Sequence, residues 1–539
     1  MKRKTWFWAL TPVAVALSLY GCGNGSDSDL AVDNNAQSCS VVSGTGSAVV
    51  VGSGLPGDPA APEAASGYRL GYKAKQSSNY MVVANTPLAT KAGCDVLKAG
   101  GTAVDAAVAV QAVLGLVEPQ SSTIAGSAFM MYYDAANKKV VAYDGRETAP
   151  AAATGYYLAR QDQSNASSPA PVPSARRSGR SIGVPGVMRM LDMAHKEHGK
   201  LAWAPLFDEG IRLASSGYKI PGRMGDAIRT NAANLQLDAN AVAAYFNADG
   251  TPKTTGTVTT NLPYAQSLRT LATGGADAMY SGPLADAIVA KAAQSVGDDV
   301  AKTPITPSLM TVTDLKNYQA KKREPVCTTY RSSYYICTMS PPSSGGIAIA
   351  QSLGILENFD LSQYGPTNPS NEGGVPSVMG VHLVSEAQRL AYADRDKYVA
   401  DTDFIPLPGN GVSSMIDKAY LKQRASLINP NGNSMGTATA GNLGNVPLGV
   451  DKTVEKGTTH FSIVDAYGNV VSMTSTVESS MGSYHMVGGF LLTNQLTDFS
   501  AQPTDAAGVP VANRVAPGKR PRSTMAPPWS SRAPALATL

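Results

Sequence analysis

At 539 residues with 43% hydrophobic content, the chain can bury a large core, and its formal net charge of +4 is small for that length. No basic stripe accompanies the charge, which argues against a nucleic-acid partner. Length alone suggests several domains, although large α/β folds can run this long.

Met1-Lys2-Arg3-Lys4 and the apolar run Trp6 to Tyr20 read as a signal peptide over residues 1–21. The apolar part is too short for a comfortable transmembrane helix. Leu19-Tyr20-Gly21-Cys22 resembles a bacterial lipobox, which would place a lipid on Cys22. The alternative is a plain secretory signal with a free Cys22. Either way the mature protein is predicted to be exported, to a bacterial periplasm; where Cys22 is lipidated, that anchor is its one predicted membrane attachment.

Residues 22–79 read as a lipidated tether, because the stretch from 23 to 66 is dominated by Gly, Ser, Asp, Asn, Ala and Pro. Within it, Gly52-Ser53-Gly54-Leu55-Pro56-Gly57 matches a dinucleotide fingerprint in form. Pro56, Pro59 and Pro62 interrupt the helix that such a site needs, so the match is rejected.

Helical patterns follow from Ala92 to Leu114, broken at Gly100-Gly101, then from Val187 to His198 and from Val381 to Tyr398. Strand-like runs lie at Phe129 to Tyr133, Lys139 to Tyr143 and Tyr334 to Thr338. Helices and strands alternate without a strict βαβ rhythm, which fits a layered α/β sandwich of α+β type. Cys327 and Cys337 flank a predicted hairpin loop and are paired on that ground. Cys39 with Cys94 is the remainder, or both stay buried thiols.

Residues 428–457 form a polar loop. Gly432-Asn433-Ser434-Met435-Gly436 has the form of a serine nucleophile elbow, but Asn-Pro-Asn-Gly before it supplies turns rather than a strand. His195, His198, His382, His460 and His485 show no metal-ligand spacing.

The next segment carries the chemistry. Thr459 to Val464 and Val470 to Val477 are rich in β-branched and aromatic residues, with Tyr467-Gly468-Asn469 as a turn between them. Folding about Tyr467 places Thr476 nearly opposite Thr458, and such pairs have Cβ atoms roughly 4.5–5.5 Å apart. A threonine hydroxyl needs a neighbouring base to become a nucleophile. Cutting the chain between Gly457 and Thr458 would make the new α-amine that base. The plainer alternative is an ordinary β-branched strand.

Thr458-Thr459-His460-Phe461-Ser462, Thr474-Ser475-Thr476-Val477-Glu478 and Asn494-Gln495-Leu496-Thr497-Asp498-Phe499-Ser500 resemble γ-glutamyltranspeptidases. Those belong to the N-terminal-nucleophile hydrolases. Further matches are Val117-Glu118-Pro119-Gln120, Asp144-Gly145-Arg146-Glu147, Gly183-Val184-Pro185-Gly186, Pro341-Pro342-Ser343-Ser344-Gly345-Gly346, Ala391-Tyr392-Ala393-Asp394-Arg395 and Lys519-Arg520-Pro521-Arg522-Ser523-Thr524. They run in one consistent order from residue 80 to 527.

The resemblance implies a four-layer αββα fold and self-cleavage into a large subunit, 80–457, and a small subunit, 458–539. It implies that Thr458 forms a γ-glutamyl-enzyme, resolved by water or by an amino-acid or peptide amine, with glutathione-like donors. Thr476 would orient Thr458. Arg146, with Ser523 and Thr524, would hold the donor's α-carboxylate. Glu478, Gln495 and Asp498 would hold its α-ammonium. His460 would support the strand. No cofactor and no metal is implied.

Past Pro527 the chain departs from the family pattern, which continues with apolar strands and a Pro-Gly-Gly segment whose amides form an oxyanion hole. Here Pro528-Trp529-Ser530-Ser531-Arg532 follows, and the sequence ends at Leu539. The expectation is a truncated small subunit lacking its C-terminal strands, and a lost oxyanion donor costs about 10²–10³ in rate. A frameshift or early stop is the hypothesis, tested by re-reading the DNA beyond the Pro527 codon for another frame. Residues 500–518 contain no aromatic residue, so an open site without a tyrosine lid is predicted. Two alternatives accompany the leading reading: a cephalosporin-acylase-like glutaryl amidase, and an inactive truncated lipoprotein.

Overall fold

Two sheets lie face to face, and the hairpin that carries Thr458 runs inside the larger one. The computed structural model describes Cys39 and residues 76–532, apart from 371, 372, 445 and 456. The predicted signal peptide, Cys22 and most of the predicted tether lie outside the described residues. The strands that matter here are β1 (Met81–Val83), β2 (Ser127–Asp134), β3 (Lys139–Gly145), β4 (Lys321–Arg323), β5 (Val326–Tyr330), β6 (Tyr334–Thr338), β7 (Thr459–Val464), β8 (Val470–Thr476) and β9 (Trp529–Arg532). The larger sheet has the order β1-β7-β8-β2-β3-β4, and the smaller has β9-β6-β5. All their pairings are antiparallel.

The alternation of side chains along the strands sorts the layers. Phe461, Met473 and Met130 stand in one row across β7, β8 and β2, and Ile463, Val471 and Tyr132 in the next. These rows join a core with helices α1 (Pro87–Lys98), α2 (Ala103–Val117) and α3 (Val187–His198). The opposite face sends Phe129, Met131 and Ala142 against Cys337, Met339 and Met525, with Trp529 packed alongside. Helix α4 (Gly345–Leu356) covers β5, and α5 (Val378–Tyr398) packs on α4. Helix, sheet, sheet and helix make the four-layer αββα sandwich.

Helix α2 is buried over its whole length, so it reads as continuous apolar sequence rather than as a stripe. Each buried Val or Leu there contributes about 1.5–3 kcal/mol. Thr102 and Asp105 close its start in a reciprocal capping box. Helix α1 starts at Pro87 with the Thr86 hydroxyl accepting from Ala89 N.

Cys327 is bonded to Cys337, and Cys39 to Cys94 on α1. Past the departure at Pro527, residues 529–532 still contribute to the smaller sheet. They form β9, paired in register with β6 from Trp529↔Cys337 to Arg532↔Tyr334. Trp529 anchors this strand by stacking on Tyr133, with ring centroids 4.7 Å apart.

Candidate active site

The site sits where β7 begins and β8 ends. The register Thr459↔Ser475 carries on to set Thr458 opposite Thr476, and Thr476 pairs in turn with Ser127 of β2. The Thr476 hydroxyl is buried and donates to the Gly457 carbonyl at 2.8 Å. It accepts from Glu478 N at 2.7 Å. That amide fixes the hydroxyl proton toward the carbonyl. In the continuous chain Thr476 therefore addresses the Gly457 carbonyl, rather than the Thr458 hydroxyl. Gly457 and Thr458 are both exposed.

Gly457 has φ +46°, and a Cβ there would lie 2.6 Å from the Glu478 carbonyl oxygen. Glycine alone fits that close turn without strain. Next to it, Thr459 is locked in place: its hydroxyl donates to Glu118 Oε2 and accepts from Asn85 Nδ2, each at 2.8 Å. His460 lies 2.9 Å from Thr474 Oγ1 and 3.2 Å from Ser462 Oγ. Burial lowers its pKa, so it braces the strand as a neutral ring.

Below the hairpin, Arg146 is fully buried and meets Asp498 Oδ2 at 2.5 Å. Its Nε donates to Pro521 O at 3.1 Å, and Nη2 to Arg522 O at 3.0 Å. Gln495 contacts Ser127, and its amide is satisfied with nitrogen 3.2 Å from Glu147 Oε1 and oxygen 2.8 Å from Arg146 Nη1. Most of the Arg146 fork is thus already committed inside the protein. Burial pushes the Asp498 carboxyl well above the usual range; Arg146 opposes this, while Glu478 and Glu455 push it further. Burial likewise pushes Glu147 up to about 8, despite the Thr493 hydroxyl donating to it at 2.8 Å.

Glu478 has φ +75°, a left-handed conformation that turns its N–H onto Thr476. Its Oε2 is in close contact with Arg176 Nη1 and accepts from Ser479 Oγ at 2.5 Å. Among the described residues, three buried carboxylate oxygens have no hydrogen-bond partner: Glu478 Oε1, Asp498 Oδ1 and Glu455 Oε2. Ser523 Oγ accepts from Met525 N at 3.1 Å, and the Ser523 carbonyl accepts from Ser344 N and Oγ at 2.6 and 2.9 Å. Thr524 lies half-buried beside it. The structure thus brings Arg146, Gln495 and Asp498 into one cluster, with Pro521-Arg522 tying in the chain that leads to Ser523. Glu478 joins through its charge.

Several members of this cluster gave no individual signal in the sequence. Arg176, in the 3-10 turn Ala175–Arg177, and Glu455, in a loop, have partners distant along the chain. Glu118 falls inside a matched motif, yet only the fold shows that it grips Thr459.

An internal threonine at a strand start, faced by a hydroxyl on its hairpin partner within an αββα sandwich, defines the N-terminal-nucleophile hydrolase class. Comparison with known proteins narrows this. The family model for gamma-glutamyltranspeptidase matches residues 89–530. The glutathione hydrolase proenzyme of Bacillus subtilis (strain 168) is 36% identical over 461 residues, covering 83% of this chain and 72% of that protein. The acylase ACY 1 proenzyme of Pseudomonas sp. (strain SE83) is 32% identical over 458 residues, covering 84% and 75%. The crystal structure of Helicobacter pylori gamma-glutamyltranspeptidase superposes with a TM-score of 0.61 at 30% identity, covering 69% of this chain and 99% of that one. The chain belongs to the γ-glutamyltranspeptidase family and is an enzyme of that family.

Proposed function

We propose that this chain is a self-processing γ-glutamyltransferase and glutathione hydrolase whose nucleophile is Thr458. In the first step Thr458 Oγ1 attacks the Gly457 carbonyl and the peptide C–N bond breaks. The hydroxyl proton passes to the departing nitrogen, leaving an ester. Water then cleaves the ester into a Gly457 carboxylate and a free Thr458 bearing its hydroxyl and α-amine. That amine serves as the base for the second reaction. Thr458 takes a γ-glutamyl group from glutathione or a related donor, and water or an amino-acid or peptide amine removes it.

The observation that carries this reading is the Thr476 hydroxyl donating to the Gly457 carbonyl at 2.8 Å. A donor on that oxygen makes the carbon more electrophilic and stabilises the negative charge that develops there. For the donor pocket, Arg146, Ser523 and Thr524 are assigned to the α-carboxylate, for which Arg146 must exchange part of its present bonding to Asp498, Gln495 and the two carbonyls. Glu478, Gln495 and Asp498 are assigned to the α-ammonium. The two unpartnered oxygens of Glu478 and Asp498 suit a cation. The mature enzyme is assigned to the exported fraction of a bacterial cell, with Cys22 as the lipid attachment point.

Gel electrophoresis of the purified protein tests the first reaction. Two fragments are expected from the wild type and one from Thr458→Ala; a wild-type chain that stays whole rejects it. A γ-glutamyl anilide then tests the second. One observation favours the glutaryl amidase reading instead: Arg176 already pairs with the Glu478 carboxylate through Oε2, beside the unpartnered Oε1 that a donor's ammonium would meet. A glutaryl amide has no such ammonium. Turnover of glutaryl anilide well above that of γ-glutamyl anilide would decide for it.

A further inference from the structure

The segment just before the cleavage peptide is held by two arginines from distant parts of the chain. Arg395, on α5, places Nη2 in close contact with Glu455 Oε1 and donates from Nη1 to the Thr453 carbonyl at 3.3 Å. Arg522 lies with Nε 3.7 Å from the same Glu455 oxygen. Its Nη2 donates to Asp451 Oδ2 at 3.0 Å and to the Asp451 carbonyl at 3.1 Å. Alternate residues Asp451, Thr453 and Glu455 are thus docked one after another. The side chains of Arg395, Arg522 and Glu455 are only 4%, 0% and 6% exposed.

Such burial is costly for a carboxylate unless something is gained by fixing it. The neighbouring residue Val454 is 70% exposed, so the segment is not buried for its own apolar content. Glu455 is two residues from the Gly457 carbonyl, a span of at most about 7 Å of chain. Arg395 also donates from Nε to Ser344 Oγ at 3.1 Å, and Ser344 holds the Ser523 carbonyl. One guanidinium therefore references the pre-cleavage segment to the wall of the pocket.

We propose that Glu455 is a positioning residue for self-cleavage. Its carboxylate, seated on Arg395 and Arg522, holds the Gly457 carbonyl against the Thr476 hydroxyl and within reach of Thr458. Thr458 and Thr476 perform the chemistry, and Glu455 touches neither the attacking oxygen nor the bond that breaks. This inference rests on the self-processing reading above.

The test follows the splitting of freshly purified, unsplit full-length chain with time, for wild type, Glu455→Gln, Glu455→Asp and Val454→Ala. Glu455→Gln keeps the shape and loses the charge, and it is expected to slow splitting by about 10- to 100-fold, the scale of a misplaced reacting group. Glu455→Asp keeps the charge and should recover a substantial part of the lost rate. Val454→Ala should split at the wild-type rate. Melting curves on a Thr458→Ala background, where every chain stays whole, should agree within a few degrees with and without the added Glu455→Gln change. Equal rates for wild type and Glu455→Gln, an equal slowing by Val454→Ala, or Gln and Asp variants equally slow would each overturn the inference. So would a collapse of the melting temperature that accounts for the lost rate. A wild-type chain that never splits would overturn the self-processing reading itself, an outcome distinct from all of these.

Discussion

Replacing Thr476 by valine keeps the shape of the side chain and removes one hydroxyl. That residue is 2% exposed, so water does not readily take the hydroxyl's place. Its 2.8 Å bond falls on the oxygen that, in the proposed self-cleavage, would become an oxyanion under attack by Thr458. Removing one such donor costs about 2.7–4 kcal/mol of barrier, or about 10²–10³ in rate. The same change leaves the Glu478 N–H, now bonded at 2.7 Å, without an acceptor. An orphaned buried donor costs about 1–3 kcal/mol of stability. The two effects separate by measurement. Splitting of the full chain with time reads the barrier, while thermal melting on a Thr458→Ala background reads the stability. Thr476→Val should split at least about 10²-fold more slowly. Thr476→Ser, which restores the donor, should regain most of the rate. Wild-type splitting in the valine variant would refute the assignment of the carbonyl to Thr476.

Gly457→Ala must place a methyl 2.6 Å from the Glu478 carbonyl oxygen at φ +46°, and should slow splitting about 10-fold or more; an unaffected time course would show that this turn is not needed. Arg176→Ala should remove the cation that competes for the Glu478 carboxylate and lower KM for γ-glutamyl anilide about 2- to 5-fold, the modest scale of a partly exposed pair. A raised KM would instead make Arg176 part of the donor site. Glu147 has its carboxyl pushed up to about 8 from an unperturbed 4.5, so the fold keeps a proton that the unfolded chain has lost between those values. Its contribution to stability is therefore complete at low pH and falls as pH rises toward 8. On a Thr458→Ala background, Glu147→Gln should lose less melting temperature between pH ~5 and pH ~8 than its parent. Identical losses would show that Glu147 does not titrate in that window.

Local pattern made some of this molecule legible before its structure. The helix Val187–His198 and the strand Tyr334–Thr338 have the boundaries that periodicity indicates. The turn Asp465–Asn469 fixes the register that faces Thr458 with Thr476, because hairpin register follows from the type and length of the turn. Helix starts were harder. Helix α1 begins at Pro87 rather than near Ala92, where the Thr86-Pro87 cap was the overlooked signal. Helix α5 begins at Val378 rather than Val381, with Ser377 as its cap.

Long-range electrostatics could not be read from sequence at all. Arg176 with Glu478 spans 302 residues, and Arg146 with Asp498 spans 352. Nothing local to either partner announces the other. The resemblance gathered Arg146, Glu478, Gln495 and Asp498 into one pocket, but it did not show that Arg146 would spend its donors on Asp498 and on two carbonyls. Nor did the composition after Pro527 show that Trp529 could seed an edge strand on Tyr133.

N-terminal sequencing of the smaller fragment from purified protein tests the central claim most directly. The account predicts a single series beginning Thr-Thr-His-Phe-Ser, from Thr458 onward, in the wild type and no such series from Thr458→Ala. A first residue other than Thr458, or the same fragment from the alanine variant, would contradict it.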